Sequence, residues 1–225
     1  MDRACKKIDK ESRLKKIGNI TFLSGNAYGI LKEAIVTLKF APGEKLNLAK
    51  ITDELGISTT PVREAVTRLI QDGLVVNIPF KGAFVSDVDQ RMVEELVELR
   101  ELLEAAAIKR TAMEFSASDV EAAEGLLQKL EKAYKKNDLK SYVECSMQFH
   151  DMFVDRCGNG MMANVIRGFY DHVKRIAFLA LEKQGKIAPF MEDYKKILES
   201  LKKRDPEEAA RHLLDHVRKV RHSFD

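Results

Sequence analysis

With 225 residues, 45% of them apolar and 32% charged, the chain can bury the core of one or two domains and remain in water. It has no apolar run long enough to span a bilayer and no apolar segment behind its charged start, so neither a membrane helix nor a secretory signal is expected. Cys5, Cys145 and Cys157 are odd in number and form no CxxC, which points to a cytoplasmic chain with free thiols rather than a disulfide framework.

The net charge of +3 is unevenly spread. Residues 1–86 hold 14 Lys and Arg against 9 Asp and Glu, whereas residues 87–225 hold 24 against 26. A local positive excess is what phosphate binding requires.

Residues 1–24 are read as a basic tail, with seven Lys and Arg against three acids in the first 20. Solvated chain and a basic arm on DNA phosphates are both compatible with it. Residues 25–40 form the first expected helix, with Tyr28, Leu31, Ile35 and Leu38 as its stripe. Ala41-Pro42-Gly43 ends it. A short helix over Leu48 to Leu55 closes at Gly56.

The next helix carries the argument. Ser58 is placed to cap it, Pro61 falls in its first turn, and Val62, Ala65, Val66, Leu69 and Ile70 form a half-buried stripe. The other face shows Thr59, Thr60, Arg63 and Thr67. Two short helices about a Gly turn form a helix-turn-helix, whose second helix enters the major groove. Arg63 is the residue expected to read a base, by forking onto guanine, with a surface pair to Glu64 or Glu44 as the plainer alternative. Gly73 then stops the helix. Leu74–Ile78 and Ala83–Val85 are strand-like about Pro79-Phe80-Lys81-Gly82, a hairpin wing that brings Lys81 and Gly82 to the DNA.

From Asp89 onward only helices are expected, over 90–114, 118–136, 139–157, 161–183, 189–203 and 206–222. Ser118 with Glu121 makes a capping box; Asn137-Asp138, Gly158-Asn159-Gly160 and the segment between Gly185 and Pro189 make turns; Asp205-Pro206 starts the last helix. Cys145 and Cys157 are read as core residues of one helix. The expected fold is mainly α: a winged helix-turn-helix over 25–87, then an all-α antiparallel bundle over 90–225.

The first module resembles the DNA-binding domain of the GntR regulator family. The resemblance is carried by Pro42-Gly43-Glu44-Lys45-Leu46, Leu55-Gly56-Ile57-Ser58, Thr60-Pro61-Val62-Arg63-Glu64-Ala65, Leu69 and Asp72-Gly73-Leu74-Val75. The chain departs from that family at Thr59 and Ala49, where arginine is usual. The second module resembles the ligand-sensing domain of the FadR branch through Leu99-Arg100, Leu103-Glu104, Phe149-His150, Gly158-Asn159, Ile197-Leu198 and the stretch from Asp205 through Ala209-Ala210 to His216. Many relatives of that branch hold a divalent metal with one Asp and three His. Here those positions fall on Ser146, His150, Tyr194 and His216, so two imidazoles remain, and no cofactor is certain. A Zn or Ni ion on His150 and His216 is retained as a secondary expectation.

Arg100, Ser146, His150, His172, Arg175, Tyr194 and His216 are the candidate lining of an effector cavity suited to an organic acid. A plain i, i+4 pair with Glu104 is the competing account of Arg100. His212 and His216 share a helix, most simply as one solvated and one core-facing side chain. No GxSxG, GxxxxGK or HExxH occurs.

The resemblance implies a regulator, a repressor on family grounds, that binds a palindromic double-stranded operator as a homodimer, responds to a small molecule and has no membrane partner. A metal-dependent enzyme on the bundle, or a regulator that has lost its effector site, are the alternatives.

Overall fold

The computed structural model describes residues 20–184, 190–219 and 221. Its order is α1 (Ile20–Val36), α2 (Leu48–Leu55), α3 (Thr59–Gln71), β1 (Val75–Ile78), β2 (Gly82–Val85), α4 (Gln90–Glu114), α5 (Ala117–Lys136), α6 (Leu139–Asp155), α7 (Gly160–Gly168), α8 (Tyr170–Gln184), α9 (Met191–Lys202) and α10 (Pro206–Arg218).

Helices α1 to α3 enclose a small core with Leu31, Ile35, Val62, Ala65 and Leu69 at its centre. Helix α1 lies nearer the N-terminus than its stripe indicates. It begins inside the expected tail, and it stops at Val36 because Leu38 takes a left-handed φ of 62°. The part of the tail before residue 20, Cys5 included, lies outside the described residues. Gly56, at φ 63°, caps α2 and makes the tight turn into α3.

Ser58 stands at the N-cap of α3, but its hydroxyl makes no capping bond. The capped residue would be the third of the helix, and here that is Pro61, which has no N–H to give. Strands β1 and β2 pair antiparallel with Val75 opposite Val85 and Ile78 opposite Gly82. The segment before α2 lies along β2, with Leu46 N–H donating to the Ala83 carbonyl at 2.9 Å. This anchors the wing to the helices.

A second core is built by α4 to α10, with Ile108, Leu130, Phe149, Phe153, Ile197 and Leu213 buried in it. Helix α4 starts at an Asp89 cap and packs along α10, while α5 packs on α6. The capping box of α5 is Ser116 with Asp119, two residues before the expected Ser118 and Glu121. Phe115 leaves α4 in an extended conformation, so the chain re-enters helix at once. The expected helix 139–157 closes at Asp155, which puts Cys157 beyond it, although Cys145 and Cys157 are both buried as expected.

The expected helix 161–183 is two helices. It breaks between Gly168 and Tyr170, where Phe169 and Tyr170 turn buried rings toward each other at 6.1 Å. The break sets α8 against α1 and makes it the bridge between the two cores. Phe178 packs against both. The turn expected between Gly185 and Pro189 lies outside the described residues, as do the last residues of the expected 206–222 helix. Among the described residues no helix is long and apolar enough to cross a membrane.

Candidate nucleic-acid interface and effector cavity

Helix α3 buries Pro61, Val62, Ala65, Val66 and Leu69 and exposes Ser58, Thr59, Thr60, Arg63 and Thr67. Arg63 makes no ion pair among the described residues, so the alternative pairing with Glu64 or Glu44 is not formed. Glu44 instead accepts from Ala41 N–H at 2.8 Å. Thr67 donates back to the Arg63 carbonyl at 2.9 Å and leaves its lone pairs outward. Arg68, beside this face, is held over the Tyr28 ring at 3.9 Å.

Lys81 is exposed and Gly82 half-buried at the wing. Phe80, at φ 63°, is the most exposed side chain at the hairpin tip, at 110% of its reference area. Sequence reasoning placed Phe80 in the turn but gave it no role, because a local pattern does not show that a turn aromatic has no core to reach.

In the second module a cavity of about 70 Å³ has a mostly apolar wall, with Val97, Val173, Ile176 and Leu181 among its residues. Five of the seven candidates reach it: Arg100, Ser146, His150, Tyr194 and His216. Arg100 is both a lining residue and a partner of Glu104. Its Nε donates to Glu104 Oε1 at 2.7 Å and its Nη2 to Oε2 at 3.2 Å, with the pair fully buried. Glu104 Oε2 also lies 2.8 Å from His150 Nδ1. Burial opposes ionisation of Glu104, but Arg100 and His150 outweigh it and hold the carboxyl down to about 2.

Tyr194 Oη and Ser146 Oγ are 2.6 Å apart, and burial pushes the phenol up to about 12. The two positions where relatives place metal ligands thus satisfy each other as hydroxyls. Neither offers a ready anionic or imidazole donor, so this set does not suit a resident Zn or Ni ion. Among the described residues no group of three His, Cys, Asp or Glu is placed to hold a metal.

The remaining two candidates are elsewhere. His172 and Arg175 do not line the cavity. Val173, Ile176, Ala177 and Ala180 take the cavity side of α8, at helical spacing, and this turns His172 and Arg175 toward the first module. His172 Nε2 donates to the Asp72 carbonyl at 2.8 Å, at the end of α3. Arg175, fully buried, donates from Nη1 to Ser86 Oγ at 2.8 Å and from Nη2 to the Ser86 carbonyl. Burial with few acidic neighbours lowers its guanidinium to about 10. Lys32 with Asp171 and Lys140 with Glu33, each at 2.9 Å, add two more ties between the modules. Ser86 and Asp72 had no sequence signal, because their partners lie about 90 and 100 residues away.

His216 is buried and its Nδ1 lies 3.4 Å from Asp193 Oδ2, while His212 bonds Ser200 Oγ at 2.9 Å and is partly open. Burial pushes His216 down to about 4 and lowers His150 as well. Both are harder to protonate folded than unfolded. The stability this represents is whole above the ordinary histidine value of 6.5 and is lost as pH falls from there toward about 4. The second module is therefore expected to melt several degrees lower at pH 5 than at pH 7. His216→Phe should flatten that slope in calorimetry; a wild-type melting temperature unchanged over this range would contradict the assignment.

A winged helix-turn-helix with an exposed polar recognition face, tied chiefly through α8 to a bundle with an internal cavity, defines a ligand-responsive transcriptional regulator. The pattern described as bacterial regulatory proteins of the gntR family matches residues 23–85, and that of the FCD domain matches residues 95–219, more than half the chain. The chain belongs to the GntR family, in the branch whose helical effector domain is the FCD domain. FCD domains bind small-molecule effectors.

It is 26% identical over 190 residues to the uncharacterized HTH-type transcriptional regulator YdhC of Bacillus subtilis, covering 84% of this chain and 85% of that one. It is 24% identical over 196 residues to the HTH-type transcriptional repressor RspR of Escherichia coli, covering 87% and 86%. The solved structure of E. coli McbR/YncC superposes with a TM-score of 0.76 at 24% identity, over 88% of this chain and 94% of that one, and shows the same fold. These relatives are regulators, and the chain is not an enzyme; the metal-dependent hydrolase alternative finds no support.

Proposed function

We propose that two copies of this chain bind a palindromic operator through α3 and the wing, as a repressor released or engaged by a small metabolite in the α4–α10 bundle. The observation that carries this is the face of α3. Thr59, Thr60, Arg63 and Thr67 are exposed and Arg63 makes no ion pair among the described residues, while the apolar stripe is locked into the module core. Ser58, Thr59 and Thr60 meet phosphates or base edges at the helix start, and Arg63 reads a base. Lys81 and Gly82 bring the wing to the adjacent minor groove, where Phe80 is shaped as an apolar wedge.

The division of labour runs at 88–89, with residues 25–87 binding DNA and 90–225 sensing and pairing. The second copy is accommodated by Leu99, Leu102 and Met113, exposed on one face of α4, beside exposed Met161 and Val165 of α7. The effector acts without a resident metal, through Arg100, Ser146, His150, Tyr194 and His216. A cytoplasmic site of action follows from the DNA target.

The coupling runs through α8, which lines the cavity on one side and holds Asp72 and Ser86 on the other. A ligand that favours one placement of α8 shifts the population of DNA-competent dimers. Arg175→Met is expected to release Ser86 and to raise limited-proteolysis cleavage over residues 86–89 several-fold, with helix content unchanged. Unchanged cleavage would remove Arg175 from the coupling.

The direct test is selection of bound DNA from a random pool, with and without candidate metabolites. A palindromic consensus whose recovery depends on a metabolite is the expected result. Recovery of no consensus overturns the DNA reading, and a consensus indifferent to every metabolite overturns the effector reading.

A further inference from the structure

The outer face of α9 and α10 holds an open cleft of about 410 Å³, apart from the internal cavity. Its wall sets Lys196, Arg211, Arg218 and Lys219 against Asp193 and Asp215, four cations to two carboxylates. This local surplus of two positive charges lies in the half of the chain where acids outnumber bases.

Pairing within the wall decides which charges face a ligand. Asp193 accepts from Lys219 Nζ at 2.6 and 2.7 Å, so those two cancel. Arg218 reaches Glu101 at 3.2 Å but shares that carboxylate with Arg221, at 3.0 Å. Lys196 is exposed and makes no ion pair among the described residues. Arg211 lies 3.6 Å from Glu208 and 4.0 Å from Asp215, beyond hydrogen-bond reach of either.

What holds Arg211 instead is an imidazole. Ser200 Oγ gives its one hydrogen to the Lys196 carbonyl at 3.0 Å. His212 Nδ1 is therefore the donor to Ser200 Oγ, at 2.9 Å, and Nε2 is left to accept from Arg211 Nη2 at 3.0 Å. A neutral ring thus positions the guanidinium at the cleft wall and leaves its charge uncancelled. The same chain of bonds ties Arg211 on α10 to the backbone of Lys196 on α9, so the two cations without a bonded carboxylate border one space.

A phosphomonoester carries close to two negative charges at pH 7 and three acceptor oxygens on one centre. Its charge matches the surplus, and its oxygens can take the planar fork of Arg211 and the point charge of Lys196 together. A single carboxylate brings half the charge and two oxygens. We propose that the α9–α10 cleft is an outer ligand site, distinct from the internal cavity, which binds the phosphate group of a small phosphomonoester between Arg211 and Lys196.

The test uses the full chain with ¹⁵N-labelled histidine, titrated at pH 7 and constant ionic strength with methyl phosphate and, separately, with succinate. His212 Nε2 reports on the cleft, because a phosphate that engages Arg211 alters the bond this nitrogen accepts. Its resonance should shift saturably with methyl phosphate, at an apparent Kd at least 10-fold below that for succinate. The double variant Lys196→Gln with Arg211→Gln keeps His212 as the reporter and changes only exposed side chains, so it should fold as wild type. It should weaken methyl phosphate binding at least 10-fold. A His212 resonance that methyl phosphate does not move saturably overturns the proposal. So does succinate binding as tightly as methyl phosphate, or a double variant that binds methyl phosphate as wild type does.

Discussion

Arg63→Ala is expected to abolish sequence-specific operator binding while leaving the fold intact. The side chain is exposed, pairs with no acid among the described residues, and stands one turn into α3, outside the buried stripe of Val62, Ala65, Val66 and Leu69. A bidentate arginine–guanine contact discriminates by about 1–3 kcal/mol, and the proposed two-fold dimer would lose it twice. The effect should be large in this chain because Thr59 and Ala49 stand where the GntR resemblance leads one to expect arginines, leaving Arg63 a greater share of base recognition.

Residual binding should be the salt-dependent, sequence-indifferent kind that phosphates support. The measurement is fluorescence anisotropy with the selected operator and a scrambled duplex, across a salt series. Melting should change little, since surface substitutions of this sort usually lie within about 0.5 kcal/mol. Undiminished preference for the operator would remove Arg63 from the interface.

Glu104→Leu is expected to be the most destabilising single substitution in the second module. Its carboxylate is the shared partner of Arg100 and His150, and all three are buried. Removing one member of a buried pair leaves an uncompensated charge and costs about 3–5 kcal/mol. The double variant Arg100→Leu with Glu104→Leu should recover much of the loss, because it leaves no lone charge behind. Urea denaturation followed by circular dichroism reads both variants, through a lowered midpoint for the single substitution and a partial return for the double.

The same carboxylate predicts behaviour in acid. Held down to about 2 when folded, against 4.5 ordinarily, it contributes stability that is full above 4.5 and is lost as pH falls toward about 2. This acid limb lies below the one set by His216 and should disappear in the double variant. A Glu104→Leu chain as stable as wild type would mean that the ion pair is not formed.

Much of the fold is legible from neighbours in sequence. The α3 stripe, the Gly56 turn, the Asp205-Pro206 start and the wing all depend on residues a few positions apart, and each is where spacing puts it. The misplacements are equally physical. Ser58 looks like a cap until Pro61 is seen to remove the donor it needs. The helix expected over 161–183 has unbroken periodicity, and only the burial of Phe169 and Tyr170 against other helices divides it. In the candidate site, residue type identified polar groups on helices but could not say which wall they face. His172 and Arg175 are chemically fit for a ligand pocket and bind Asp72 and Ser86 instead.

By itself, the amino-acid order determined the class of this protein: a short amphipathic helix with a free Thr and Arg face, a wing, and a run of amphipathic helices long enough for a bundle. These are local matters of periodicity, capping and turn chemistry. The tertiary structure alone decided that Glu104 joins Arg100 to His150, that Ser146 and Tyr194 close on each other where relatives hold a metal, and that α8 faces a cavity on one side and the DNA-binding module on the other. Those contacts join residues tens of positions apart, and packing of whole helices sets them, which no local pattern encodes.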